Sequence, residues 1–328
     1  MKKITSFGEA INSGLDFCLG VNSETIIMGQ GVDSSEGVFG TTKNLVKKYK
    51  KNRIYDFPIS ESLMTSVSIG MANRGFRPVL VHQRIDFMMY SLDAVINWMS
   101  IWRFKSGGKA KLPIVIRALI GRGWGQGPQH SKPLYSMLTG IPGLKVVMPT
   151  TPYDAKGLII SSILSNDPIL FIEHRSLYNL KEEIPNKAYS LDLNHERIRS
   201  VGNKLTILCL GDSSLTVLNA IANKKNLYNK IEVIDIIGIH PLSLNKSLSS
   251  VKKNQNFLII ESCWFSMAIA HRIVSILMKK LDTLGIKLKR YPNIYSLPDS
   301  HTPASSKLEE KYYLDEKKII KIIEDQIL

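Results

Sequence analysis

The sequence predicts an α/β protein: two three-layer α/β/α domains in series, each built on a mainly parallel sheet. Three observations carry that expectation. Short β-branched runs alternate with helical periods along almost the whole chain, and such alternation lays helices over both faces of a parallel sheet. The rhythm lapses once, over residues 181–202 ("KEEIPNKAYSLDLNHERIRSVG"), which reads as a linker between domains at 1–180 and 203–328. The length of 328 residues exceeds most single cores and suits two domains of ordinary size.

The elements follow in order. "ETIIMGQGV" (24–32) is a buried strand ending in glycines, and "RIYDFPISES" (53–62) runs from strand through turn to the start of a helix. That helix, "ESLMTSVSIGMANRG" (61–75), spaces small and apolar residues helically and stops at Gly75. "FRPVLVHQ" is the next strand, "SLDAVINWMSIWRF" a helix and "LPIVIRAL" another buried strand. A glycine-rich loop (121–128) then leads to the strand "LKVVMPT", the helix "PYDAKGLIISSILS" and the strand "PILFIEH". Beyond the linker the alternation restarts with "KLTILCLG", a helix over 213–224, "IEVIDIIGI", a helix near 243–252, "NFLIIES" and a long helix over 264–284. The tail gives a strand, a proline-containing loop and a terminal helix, and no short internal repeat is visible.

Composition narrows the function classes. Apolar content of 44% and charged content of 22% are those of a globular protein. Cys18, Cys209 and Cys263 lie far apart without a C-x-x-C spacing, so a reducing cytoplasm is expected rather than a secretory route. The N-terminal "MKKITSFGEAINSGLDF" lacks a signal-peptide pattern, and no run of about 18 apolar residues predicts a membrane span. The net charge of +15 raises nucleic acid as a partner. Its lysines are dispersed, however, and no zinc-finger, KH or RRM signature accompanies them, so a solvated basic surface is expected and no nucleic-acid partner.

Ligands of open α/β sheets gather where loops leave the carboxyl ends of strands. Gly29–Val32, Glu61, Phe87 and the loop "GRGWGQGPQHS" (121–131), which carries His130, all fall at such places. Each has a bland alternative. Glu61 could be a first-turn acid favoured by the helix dipole behind an N-cap at Ser60; His130 could be a satisfied structural histidine, and Phe87 simply core. The loop is harder to dismiss: five glycines or prolines surround Trp124, Gln126 and Gln129, a combination suited to close backbone approach and a polar lining. It matches neither a Walker A loop nor a dinucleotide fingerprint.

Taken in order, "GVFGTTKNLVKKY", "RIYDFPISES", "GMANRGFRPV", "FMMYSLDAVIN", "KSGGK", "LPIVIR", "QHSKPLYSML", "IPGLKVVMPTTPYDAKGLI", "DPILFIEHRSLY" and "IEVIDIIGIHPLS" resemble the beta subunit of the thiamine-diphosphate-dependent 2-oxoacid dehydrogenases. These are the decarboxylating components of the pyruvate and branched-chain complexes. The resemblance covers nearly the whole chain and implies the transketolase-like layout of a pyrimidine-binding domain followed by a C-terminal domain. It implies that Glu61, in "ISE", hydrogen-bonds N1′ of the cofactor's aminopyrimidine, and that Phe87 stacks on that ring. It further implies that His130, in "QHS", stands near the substrate, that Gln30 borders the cofactor, and that the backbone carbonyl of Ile114 binds potassium. A buried-edge carboxylate is costly without a partner, and the aminopyrimidine would be that partner.

The family's diphosphate and magnesium site, a G-D-G followed by an Asn, has no counterpart here. In the family it lies on a separate alpha subunit, so the resemblance implies that such a partner holds the magnesium, in an α2β2 assembly, with a lipoyl acyltransferase as further partner. The sequence also departs from the family pattern. "MGQGV" has Gln30-Gly31 where an acid is common, Val81 stands for another acid, Ala118-Leu119-Ile120-Gly121 replaces Gly-Pro-Asn-Gly, and Ile236-Ile237 replaces Leu-Arg. These changes put substrate and acceptor in doubt, and the glycine-tryptophan-glycine loop suits something bulkier than pyruvate. Three functions compete: decarboxylation of a 2-oxo acid with transfer to a lipoyl group, transketolase-like or acyloin-forming transfer to an aldehyde or sugar, and a non-catalytic scaffold. Binding of a lipoyl acyltransferase separates the first from the second, and retention of Glu61, Phe87 and His130 argues against the third.

Overall fold

A computed structural model describes residues 1–50, 52–123 and 125–327; Trp124 of the glycine-rich loop therefore lies outside the described residues. The chain divides into two units, one comprising 1–122 and 130–193, the other 123–129 and 194–328. Both are α/β.

Unit 1 opens with β1 (Lys2–Ser6) and α1 (Phe7–Val21). The Ser6 hydroxyl accepts from the Glu9 amide while the Glu9 carboxylate accepts from the Ser6 amide, a reciprocal cap that fixes where α1 begins. There follow β2 (Thr25–Gly29), α2 (Leu45–Tyr49), β3 (Ile54–Asp56), α3 (Glu61–Asn73), β4 (Arg77–His82) and α4 (Ile85–Met88). Next come α5 (Trp102–Lys105), β5 (Val115–Ile120), α6 (Tyr135–Leu138), β6 (Lys145–Val147), α7 (Pro152–Leu164), β7 (Ile169–His174) and β8 (Lys181–Pro185). The helix expected over 91–104 is interrupted, with a π-helical turn at Ala94–Met99 ahead of α5.

The parallel strands of this unit run in the order β6-β7-β5-β4-β2-β3. β2, β5 and β7 are buried throughout, which is why they read as continuous apolar runs rather than alternating ones. β3 lies on one side of β2 and β4 on the other, so the order reverses there, and a crevice opens beyond their carboxyl ends. On the sheet's flank α1 packs against α7 at Gly14, where an added Cβ would meet Ile159 Cγ2 at 2.3 Å. Arg117 of β5 and Glu173 of β7, both fully buried, form a bidentate pair (2.6 and 2.9 Å). The Thr41 hydroxyl accepts a further bond from Arg117, and the Tyr178 hydroxyl donates to Glu173 at 2.5 Å.

Unit 2 contains β9 (Glu196–Ser200), β10 (Leu205–Leu210), α8 (Ser213–Ala222), α9 (Lys225–Tyr228), β11 (Ile231–Ile236), β12 (Gly238–His240) and α10 (Asn245–Asn254). It closes with β13 (Phe257–Trp264), α11 (Ile269–Thr283), β14 (Asn293–Leu297), α12 (Ser306–Tyr312) and α13 (Glu316–Ile327). Its sheet runs β14-β13-β10-β11-β9, parallel except for the edge strand β9. Ile319 and Ile323 of α13 seal one face of its core against Val217 and Ile221 of α8.

Within 181–202, the stretch expected as linker, the chain forms β8, which pairs antiparallel with β1, and β9, which edges the second sheet. Short edge strands of mixed polarity give no periodic signal of burial. The long helix expected from 264 begins at Ile269 instead, because β13 extends to Trp264 and the buried Glu261 carboxylate accepts the Ala270 amide at 2.9 Å.

Candidate active site

The crevice at the strand reversal is a cleft of about 490 Å³ lined by Gln30, Ile59, Glu61, His82, Gln83, Arg84, Phe87, Tyr90 and His130. They come from four segments of the chain. Gln30 follows β2, and its carbonyl accepts from the Gln83 side-chain amide at 2.7 Å, which ties the loop after β2 to the loop after β4. The Gly31 amide donates to Asp56 Oδ1 at 2.5 Å and holds the same loop against the end of β3. The Gln30 Nε2 is buried with no partner among the described residues.

Glu61 opens α3. Ser60 occupies the N-cap position, but its side chain makes no capping bond, so the bland account of this corner is incomplete. Helical amides at this end favour negative charge. The Glu61 carbonyl accepts from the Thr65 hydroxyl, which is also hydrogen-bonded to the Ser91 hydroxyl, fixing the first turn of α3 against the segment after α4. Phe87 of α4 is over a third exposed, unlike a core phenylalanine, and its ring meets the His130 ring edge-on, 5.6 Å between centroids at 85°. His130 is placed by the bond from the Gly121 amide to its carbonyl, which closes the glycine-rich loop at its base.

The rest of that loop behaves differently from expectation. Residues 123–129 belong to unit 2; Gly123 donates its amide to Glu309 Oε1 at 2.7 Å. Gly125 and Gly127, with φ of +66° and +62°, lie close enough to Ala304 that an added Cβ would stand at 3.2 Å. Of the loop's described residues, His130 is the one that lines the cleft. Ile114 is fully buried, and its carbonyl accepts the Ile169 amide at 2.9 Å.

His82 and Arg84 of the cleft, and Asp86 close by in sequence, were not singled out by the sequence reading. His82 ends β4. Arg84 donates to the Gln83 carbonyl and packs on the Phe39 ring, as does Arg175. Burial holds the Arg84 guanidinium below its ordinary pKa, opposed by Asp86 and reinforced by Arg175. Asp86 is 3.4 Å from Lys132, and burial raises its carboxyl against the lowering effect of that lysine. The signal for His82 and Arg84 was positional, since both sit where a predicted strand enters its loop.

The residues fit the aminopyrimidine half of the implied cofactor: an aromatic face, a carboxylate at a helix start and two amide side chains border one cleft. Among the described residues, no group of three or more His, Cys, Asp or Glu side chains could hold a metal ion.

Two family models match the chain: "Transketolase, pyrimidine binding domain" over residues 5–181 and "Transketolase, C-terminal domain" over 194–319. A Bacillus subtilis acetoin:2,6-dichlorophenolindophenol oxidoreductase subunit beta is 32% identical over 98% of this chain and 97% of its own. A Cyanidium caldarium pyruvate dehydrogenase E1 component subunit beta is 32% identical over 96% of this chain and 95% of its own. In fold the chain is similar to a split-gene transketolase solved as an inactive beta4 tetramer, with a TM-score of 0.77 and 15% identity over 98% of both chains. It is also similar to a Campylobacter jejuni transketolase, with a TM-score of 0.70 and 13% identity over 98% of this chain and 47% of that one.

Proposed function

Because the chain belongs to the transketolase-like family of thiamine-diphosphate-dependent enzymes, with beta subunits of 2-oxoacid dehydrogenases among its relatives, we propose that it is such a beta subunit and decarboxylates a 2-oxo acid. The observation that carries this reading is the cleft itself, which gathers Gln30, Glu61, Phe87 and His130 from four separate segments. Bound there, thiamine diphosphate supplies a carbon nucleophile and an electron sink for the loss of carbon dioxide. Glu61 would hold a proton at N1′ of the aminopyrimidine and so set its tautomer. Phe87 would offer its face to the ring, and the Gln30 amide would gain a partner that it lacks among the described residues. Arg84 would receive the substrate carboxylate, and His130 would exchange a proton with the substrate oxygen.

In the reaction the bond between carboxylate and 2-oxo carbon breaks. The remaining acyl unit passes to an acceptor, and a lipoyl disulfide takes the acyl group and two electrons together. Magnesium and the diphosphate belong, in this reading, to an alpha subunit in an α2β2 assembly. Exposed apolar side chains in and near the cleft suit such a partner: Ile59 and Tyr90 of its lining are 83% and 73% exposed, and Leu63 of α3 is 52% exposed, more than solvent alone favours. Potassium at Ile114 would share its carbonyl with the Ile169 amide. Cys18, Cys209 and Cys263 are buried, and a reducing cytoplasm is the compartment this reading takes.

The test is turnover of 2-oxo acids by the chain co-expressed with an alpha partner, with thiamine diphosphate, magnesium and an artificial electron acceptor. The Glu61→Gln variant should lower kcat by about 10²–10⁴-fold. A stable, cofactor-loaded pair that turns over no 2-oxo acid would instead favour transfer from sugar donors.

A further inference from the structure

One polar side chain of the cleft has no task in that chemistry. His82 is 1% exposed, lines the cleft, and neither ring nitrogen has a partner among the described residues. Its strand neighbours Leu80 and Val81 are apolar and fully buried, and an aliphatic side chain at 82 would complete the run. A buried imidazole without partners is a standing cost unless something that enters the cleft satisfies it.

The kind of group follows from its protonation. Burial pushes the imidazole down to about 4, so near neutrality the ring carries one N–H donor and one lone pair and no charge. It cannot neutralise a carboxylate or phosphate, and Arg84 in the same cleft is the residue equipped for that. A methyl or methylene would leave both nitrogens unpaired. A hydroxyl, itself donor and acceptor, matches a neutral imidazole in either tautomer. Around His82 the cleft offers Gln83 and Gln30 as further uncharged donors and acceptors.

We propose that His82 is a specificity-determining residue that pairs with a substrate hydroxyl, so that this cleft selects a hydroxylated 2-oxo donor over its deoxy counterpart. The proposal rests on the 2-oxo acid reading above and names the substrate class for the same site.

The test compares hydroxypyruvate with pyruvate, which differ by one hydroxyl, using the cofactor-loaded complex with its alpha partner. Calorimetry first measures thiamine diphosphate binding in wild type, His82→Leu and His82→Gln. The donor ratio is then read as kcat/KM, and as dissociation constants in the Glu61→Gln background, where turnover is blocked. Wild type should favour hydroxypyruvate, His82→Leu should shrink that ratio by about 10–100-fold, and His82→Gln should restore part of it. A merely structural role would lower affinity for both donors alike and leave the ratio untouched. An unchanged ratio with cofactor bound overturns this proposal alone, as does a wild type that takes pyruvate at least as well as hydroxypyruvate. A complex that takes up no cofactor overturns the parent reading, and this one with it.

Discussion

His82 also has a consequence for stability. The folded chain withholds a proton from this ring until the pH falls to about 4, whereas the unfolded ring accepts one from about 6.5. The folded state is therefore not penalised near neutrality and loses stability as the pH falls through that window, by about 2 kcal/mol at pH 5. Unfolding in urea at pH 7.5 and pH 5 should show a smaller acid loss in His82→Gln than in wild type, and equal losses would refute it. The Arg117–Glu173 pair acts at the same scale. Arg117→Met should lower stability by about 3–5 kcal/mol, since it strands a carboxylate with no exposure; a calorimetric melt would show it. The cleft positions of Glu61 and Phe87 were legible in the sequence because segments that leave strand ends are readable from pattern. His82 was not, because a histidine closing an apolar strand ordinarily has partners, and their absence is visible only in three dimensions.

Among the elements, the buried parallel strands declared themselves through uninterrupted β-branched runs, and α3 and α7 through their spacing. What stayed hidden depends on contacts distant in sequence. β1 and β8 lie far apart in the chain and are defined by one another, and α11 starts where a buried glutamate from the neighbouring strand accepts its amide. The α1–α7 seam is equally non-local. Gly14→Ala should cost about 1–3 kcal/mol, because the β-branched Ile159 has few rotamers with which to yield. Ser6→Ala, at the cap of the same helix, should cost about 1 kcal/mol. Melting of the two variants checks both, and a neutral Gly14→Ala would mean that the helices can slide apart.

For the molecule as a whole, the two-unit α/β plan was foreseeable, while the partner enters through what the surface leaves uncovered. Leu63→Asp, on an exposed face of α3, should leave the fold intact and abolish co-purification with the alpha subunit. An undiminished complex on gel filtration would place the interface elsewhere. No helix among the described residues is long and apolar enough to cross a membrane. The charge of +15 is carried by lysines spread over both units; it bears on solubility and encounter rates rather than on fold.

The excursion of residues 123–129 limits how modular the two units are. Seven residues from late in the first sequence half belong to the second unit. There the Gly123 amide supplies a partner for Glu309, which is only 7% exposed. A gene fragment beginning at 194 would therefore encode the C-terminal unit without a segment its own packing uses. Recombination that swaps C-terminal halves between related chains would be penalised unless it also carried this short upstream stretch, so the two must be inherited together although some 65 residues separate them.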